Sequence, residues 1–222
     1  MNSLKNQKLS YWIFDLDNTL YSSDTNLFIQ IKKNIVKFIS NEFKIDENKA
    51  DQERIRLYRK FGTSLRGLIV ENNIKPERFL DYVHDIDLSL IKPNIHLNTL
   101  LNKINEKKII FTNASLKHAE NILSVLGLSN NFSSIYSIET INFLPKPNIL
   151  SYQMLINNEG VDTKLAIMFE DTAWNLEPAF ALGMKTVLVN PQNETIDKNI
   201  KYINYRAKTV EAFLLEYFEN KV

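Results

Sequence analysis

Tyr11-Trp12-Ile13-Phe14 is a short apolar and aromatic run that stops abruptly at Asp15. A run without polar alternation reads as a strand buried on both faces, and such strands belong to parallel sheets covered by helices on either side. Strand patterns recur at 107–111, 135–138, 165–169 and 186–189. Helical patterns separate them at 115–126, 148–158 and 172–182, the first and last closing at Gly127 and Gly183. A further helical segment covers 209–219. Strands alternating with helices of this length predict an α/β fold, a Rossmann-like parallel sheet joined by right-handed crossovers.

One stretch breaks the alternation. From about Asp24 to Lys92 the pattern is helical, with Phe28, Ile31, Ile35, Phe38 and Ile39 gathered on one amphipathic face. More helices are predicted at 47–60, 64–72 and 76–84, with breaks at Gly62 and Pro76 and an end at Pro93. The stretch is too long for a crossover between neighbouring strands. It predicts an inserted all-helical cap over 21–93, with 1–20 and 94–222 forming the core.

Composition narrows the function classes. Twenty-seven basic and 26 acidic residues leave a formal charge of +1, so neither nucleic acid nor an anionic membrane is an expected partner. There are no cysteines, which excludes disulfides, thiolate metal sites and a cysteine nucleophile together. The opening MNSLKNQKLS carries no apolar run and no stretch approaches the roughly 18 apolar residues of a membrane span. The expectation is a cytoplasmic monomer or homodimer acting on a small molecule.

Parallel sheets of this kind place their active sites at the carboxyl ends of the strands, where strand order reverses. The residues following the predicted strands are Asp15-Leu16-Asp17, Thr112-Asn113 and Glu170-Asp171, and Pro145-Lys146-Pro147 precedes the helix leading to the last of these. Asp15 and Asp17 are two apart in extended chain, so both carboxylates project to one side while Leu16 turns inward. A carboxylate is ionised at neutral pH and attacks phosphorus without a partner base, which suits Asp15 as nucleophile. Asp17 then serves as general acid and afterwards as base. Mg²⁺ prefers oxygen ligands, here the carboxylates of Asp15 and Asp171, the backbone carbonyl of Asp17, and Glu170 through water. Lys146 offsets repulsion between phosphate and acids, while Thr112 and Asn113 hold the phosphate oxygens. Taken singly, each motif is equally an ordinary loop or a helix start, and it is their joint order that points to phosphoryl chemistry.

That order resembles the haloacid dehalogenase superfamily of hydrolases. The stretch FDLDNTLY at 14–21 is similar to the family's first motif, Thr112-Asn113-Ala114 to the second, Lys146 to the third, and Glu170-Asp171 with Asn175 in support to the fourth. The resemblance implies a Mg²⁺-dependent phosphomonoester hydrolase working through an aspartyl-phosphate, because the dehalogenases and phosphonate-cleaving members lack the second aspartate. FGTSLRGL at 61–68, YVHDIDLSLIKPN at 82–94, FTNASLKHA at 111–119, FLPKP at 143–147 and NLEPAFALGMKTVLV at 175–189 further resemble the pyrimidine 5′-nucleotidases. This implies UMP- or CMP-like substrates. Glu170 departs from that family, which more often shows aspartate there. Tyr58, Phe61 and Arg66 fall near the expected cap loop, where they either meet a pyrimidine ring or belong to the cap's own core and surface. His84, His96 and His118 form no ligand cluster by spacing. Rival readings are a phosphoglycolate or sugar-phosphate phosphatase, a phosphomutase, and an inactive member binding a nucleotide or protein.

Overall fold

The computed structural model describes residues 8–189 and 200–219; the remaining parts of the expected core lie outside them. Six strands form one parallel sheet: β1 (Tyr11–Phe14), β2 (Lys107–Phe111), β3 (Ser134–Tyr136), β4 (Ala166–Glu170), β5 (Lys185–Val189) and β6 (Tyr205–Ala207). Their order across the sheet is β3-β2-β1-β4-β5-β6, so the direction of strand addition reverses at β1. Phe14 lies opposite Ile110 on one side and Phe169 on the other, which aligns the carboxyl ends of three strands.

β1 reads as continuously apolar because its two faces meet different layers. Trp12 and Phe14 join the core shared with α5 (Ile95–Asn102), α6 (Leu116–Leu126) and α9 (Val210–Glu219), whereas Ile13 joins that of α7 (Ile149–Glu159) and α8 (Ala173–Ala181). The Phe14 ring stacks on Phe169 at 4.7 Å, and Trp12 meets Tyr217 edge-on at 5.1 Å. Deleting such a ring costs about 3–5 kcal/mol, so the strand that delivers Asp15 is firmly seated. Ser115 caps α6, and Asn148 caps α7.

Between β1 and α5 four helices pack on one another: α1 (Leu27–Phe43), α2 (Glu47–Phe61), α3 (Ser64–Asn72) and α4 (Pro76–Val83). Asp46 caps α2, Thr63 caps α3, and Pro76 opens α4 where its missing N–H needs no partner. At Gly67 an added Cβ would lie 2.6 Å from Cδ2 of Leu57, so α3 approaches α2 at a point that admits only hydrogen. The chain leaves the sheet through a tight turn at Ser23–Thr25 and returns through another at Leu88–Leu90. Gln30 ties these segments together: its Nε2 donates to the Asp87 carbonyl at 3.1 Å, and its Oε1 accepts from the Asp87 N–H at 3.0 Å. Asn34 adds a bond from Nδ2 to the Asp85 carbonyl at 3.1 Å.

The predicted strands and helices lie within two residues of the observed ones. Two elements escape the pattern: α5, an eight-residue helix after Pro93, and β6, a half-buried three-residue edge strand. Among the described residues no helix is long and apolar enough to cross a membrane.

Candidate active site

Asp15 directly follows β1, and its N–H donates to the Phe169 carbonyl at 2.9 Å, extending the ladder by one rung. Its side chain meets Lys146, which comes from the loop before α7. The Lys146 ammonium is 1% exposed and places all three protons: on Asp15 Oδ1 at 2.7 Å, Glu170 Oε2 at 2.6 Å and the Phe111 carbonyl at 2.8 Å. A buried ammonium with two carboxylates and a carbonyl is fully satisfied, and its pKa is raised despite burial because the two acids outweigh it. Asn113 in turn holds Lys146 by its backbone, accepting from the N–H at 2.8 Å and donating to the carbonyl at 3.2 Å. Its side-chain amide is therefore engaged with the chain rather than presented to a phosphate.

The acids crowd one another. Asp15, Glu170 and Asp171 offer oxygens that all lie within 4.8 Å, an arrangement suited to a hard divalent cation. Burial, then the charge of Glu170, pushes Asp15 up to about 7. Burial likewise raises Glu170 to about 7, and burial with the charge of Asp15 raises Asp171 to about 6. Three carboxylates that resist ionising together fit a cation that would relieve them, and the buried Oδ1 of Asn175 on the same wall has no partner among the described residues. The carboxylate of Asp17 is not in this group, which leaves its backbone carbonyl as the atom it can offer a metal.

Asp17 is held elsewhere. Its Oδ1 accepts the Tyr21 hydroxyl at 2.6 Å and meets His118 Nε2 at 2.8 Å. Burial raises this carboxyl, but the charge of His118 and the bonds from His118 and Tyr21 bring it down to about 2. Leu16 between the two aspartates is fully buried, as the alternation requires. Thr112 accepts the Ala114 N–H at 3.0 Å, leaving its hydroxyl proton available on the cavity wall. Thr19 donates to Asp15 Oδ2 at 2.9 Å.

Asp15, Asp17, Thr112, Lys146, Glu170 and Asp171 floor a cavity of about 320 Å³ whose opposite wall comes from the four-helix block: Phe28, Ile35, Arg54, Tyr58, Phe79 and Leu80 among others. Of the residues anticipated from that region, Tyr58 reaches the wall. Phe61 and Arg66 do not; Phe61 lies against Gly67, with the Lys60 ammonium 5.0 Å over its ring. The correction follows from helix phase. Thr63, Ser64 and Leu65 take the wall positions that the loop spacing suggested for their neighbours. Arg54, which nothing in the sequence singled out, lines the cavity with its Nε on Asp51 at 2.6 Å. His118 is buried against Asp17 and stacks on His84, while His96 is exposed on α5. Half-exposed Trp174 meets Tyr58 edge-on at 6.4 Å, joining α8 to α2.

Known proteins share this framework. Phosphate metabolism protein 8 of Saccharomyces cerevisiae is 28% identical over 196 residues, covering 80% of this chain, and the chain spans 60% of that protein's length. A β-phosphoglucomutase from Clostridium difficile superimposes with a TM-score of 0.62 at 20% identity, over 96% of both chains. A phosphatase of the same fold from Thermococcus onnurineus gives 0.61 at 18% identity, over 95% of this chain and 97% of its own. The magnesium-bound hydrolase YfnB of Bacillus subtilis gives 0.60 at 14% identity, over 97% and 99%. The family model for haloacid dehalogenase-like hydrolases matches residues 12–189, from within β1 to the last residue of β5, and the chain belongs to that family.

Proposed function

We propose that this protein is a Mg²⁺-dependent phosphomonoester hydrolase that passes the phosphoryl group through Asp15, with pyrimidine nucleoside monophosphates as its substrates. The observation that carries the reading is the division of labour between two aspartates on one cavity. Asp15 sits among cation-seeking acids beside Lys146, and Asp17 stands apart on His118 and Tyr21.

In the first half-reaction a carboxylate oxygen of Asp15 forms a bond to phosphorus as the ester P–O bond breaks, and the departing oxygen takes a proton from Asp17. In the second, Asp17 removes a proton from water, the water oxygen bonds phosphorus, and the Asp15–phosphorus bond breaks to release inorganic phosphate. The low value of Asp17 describes the free site; the negative charge of a bound phosphate favours its protonated form. Asp15 and Asp171, with the Asp17 carbonyl and Glu170 directly or through water, would hold Mg²⁺, which would supply charge that offsets the phosphate and the acids. Lys146 fixes Asp15 and Glu170, Asn113 fixes Lys146, and Thr112 donates to the phosphate.

The division we propose assigns 1–20 and 94–222 to catalysis and 21–93 to substrate choice. The wall contributed by the helical block is mainly apolar and aromatic, which favours a leaving group with a flat ring over a polyhydroxylated sugar that would strand its hydroxyls there. The block stretches that resemble pyrimidine 5′-nucleotidases support the same choice. The test is phosphate release from UMP, CMP, dUMP, dTMP, AMP, GMP, phosphoglycolate and glucose phosphates with and without Mg²⁺, alongside Asp15→Asn. Preference for the pyrimidine nucleotides, dependence on Mg²⁺ and an inert Asp15→Asn are expected. Metal-independent turnover, or activity surviving Asp15→Asn, would overturn the mechanism; a preference for small acids or sugars would overturn the substrate.

A further inference from the structure

A general acid that must also act as a base needs its carboxylate aimed at the same spot twice. Asp17 has one oxygen, Oδ1, tethered by two buried groups: the Tyr21 hydroxyl at 2.6 Å and His118 Nε2 at 2.8 Å. Among the described residues no hydrogen bond engages Oδ2, and the side chain lines the cavity. The tether is itself braced. The backbone N–H of His118 donates to Ser115 Oγ at 3.2 Å, and that hydroxyl lies 3.0 Å from His84 Nδ1. The His84 and His118 rings stack with centroids 4.4 Å apart and planes 21° from parallel. His84 ends α4, so the brace reaches Asp17 from the helical block as well as from α6.

Helix packing alone does not require this arrangement. His118 shares the buried face of α6 with Ala119, Ile122 and Leu123, where a leucine would fill comparable space without a polar atom to satisfy. Tyr21 lies in the loop after β1, where a phenylalanine would bury the same ring.

We infer that His118 and Tyr21 are positioning residues that pin one oxygen of Asp17, so that the other faces the ester oxygen in the first half-reaction and the attacking water in the second. The inference rests on the mechanism proposed above. It makes a demand that a packing role does not: loosening Asp17 harms a substrate in proportion to how much its leaving group needs a proton. A nucleoside alkoxide needs one, whereas p-nitrophenolate departs without it.

The experiment compares kcat/KM for the best nucleotide and for p-nitrophenyl phosphate in wild type, His118→Leu, His118→Gln and Tyr21→Phe, with Asp15→Asn as reference. His118→Leu and Tyr21→Phe are expected to lose roughly 10–100-fold on the nucleotide, part of what a general acid supplies, with a loss on p-nitrophenyl phosphate of about threefold or less. His118→Gln, whose amide nitrogen can occupy the Nε2 position, is expected to recover most of the difference. Equal losses on both substrates, or none, with Asp15→Asn inert, would overturn the positioning role and leave the mechanism standing. Activity in Asp15→Asn would remove the mechanism and the inference with it. Should His118→Leu fail to fold, Tyr21→Phe, which deletes one hydroxyl, decides alone.

Discussion

At Lys146 a single ammonium meets three acceptors, two of them acids that burial has made reluctant to ionise. Removing it by Lys146→Met strands Asp15 and Glu170, and breaking a buried pair in this way costs about 3–5 kcal/mol. Urea unfolding at pH 8 should show a loss of that order, and a smaller one at pH 5.5. The sign follows from linkage: Asp15, Glu170 and Asp171 have folded values raised to about 7, 7 and 6, so the folded state holds more protons than the unfolded one between about pH 4 and 7. Their unfavourable contribution is absent below about pH 4, grows as pH rises toward those folded values, and is complete above them. If Mg²⁺ binds at this trio, as proposed, it must displace the same protons, so it should raise the melting temperature more at pH 8 than at pH 5.5 in thermal shift assays. An equal shift at both would contradict the acid trio as its ligands. Asp15, Lys146 and Asp171 are legible in the sequence because each stands beside a strand end or a proline, in a joint order that no one motif carries alone. His118 is not, since a histidine on an apolar helix face reads as core until the partner across the fold is known.

Helices carry a different kind of information. Their existence follows from periodicity, caps and terminal glycines, but the phase with which each faces its neighbour is set by packing between elements distant in sequence. Thus Phe61 and Arg66 read as candidates for the wall, and Arg54 and Tyr58 are the side chains from α2 that reach it. The edge strand β6 and the helix α5 were hidden for a related reason: three half-buried residues and eight residues behind a proline give too few periods to count. Gly67 tests the contact that fixes the phase of α2. An alanine there meets Leu57 and Phe61 below 3.0 Å, and overpacking of this kind costs about 1–3 kcal/mol. Gly67→Ala should lower the melting temperature and, by displacing the wall near Ser64 and Leu65, raise KM more than it lowers kcat.

Across the whole molecule the sheet order places the acids, and the helical block closes the cavity above them. β1 lies between β2 and β4, so residues as distant as Asp15, Thr112 and Glu170 emerge side by side without any one segment holding the site. If the block chooses the substrate and the sheet performs the chemistry, damage to each should register differently. Arg54→Ala is expected to raise KM for UMP by about tenfold, the loss of one charge-assisted hydrogen bond, and to raise KM for p-nitrophenyl phosphate less. Equal changes on both substrates would move Arg54 from recognition to general support of the site. The architecture also bears on how such a chain can be varied. Gln30 and Asn34 bind the departing and returning segments of the block to each other, so the two crossings behave as one seam. A foreign block grafted with its own partner for the Asp87 backbone would need to match that seam and the Tyr58–Trp174 and His84–His118 contacts, and new substrate ranges become accessible by exchange of a whole part rather than by slow remodelling of the strand ends.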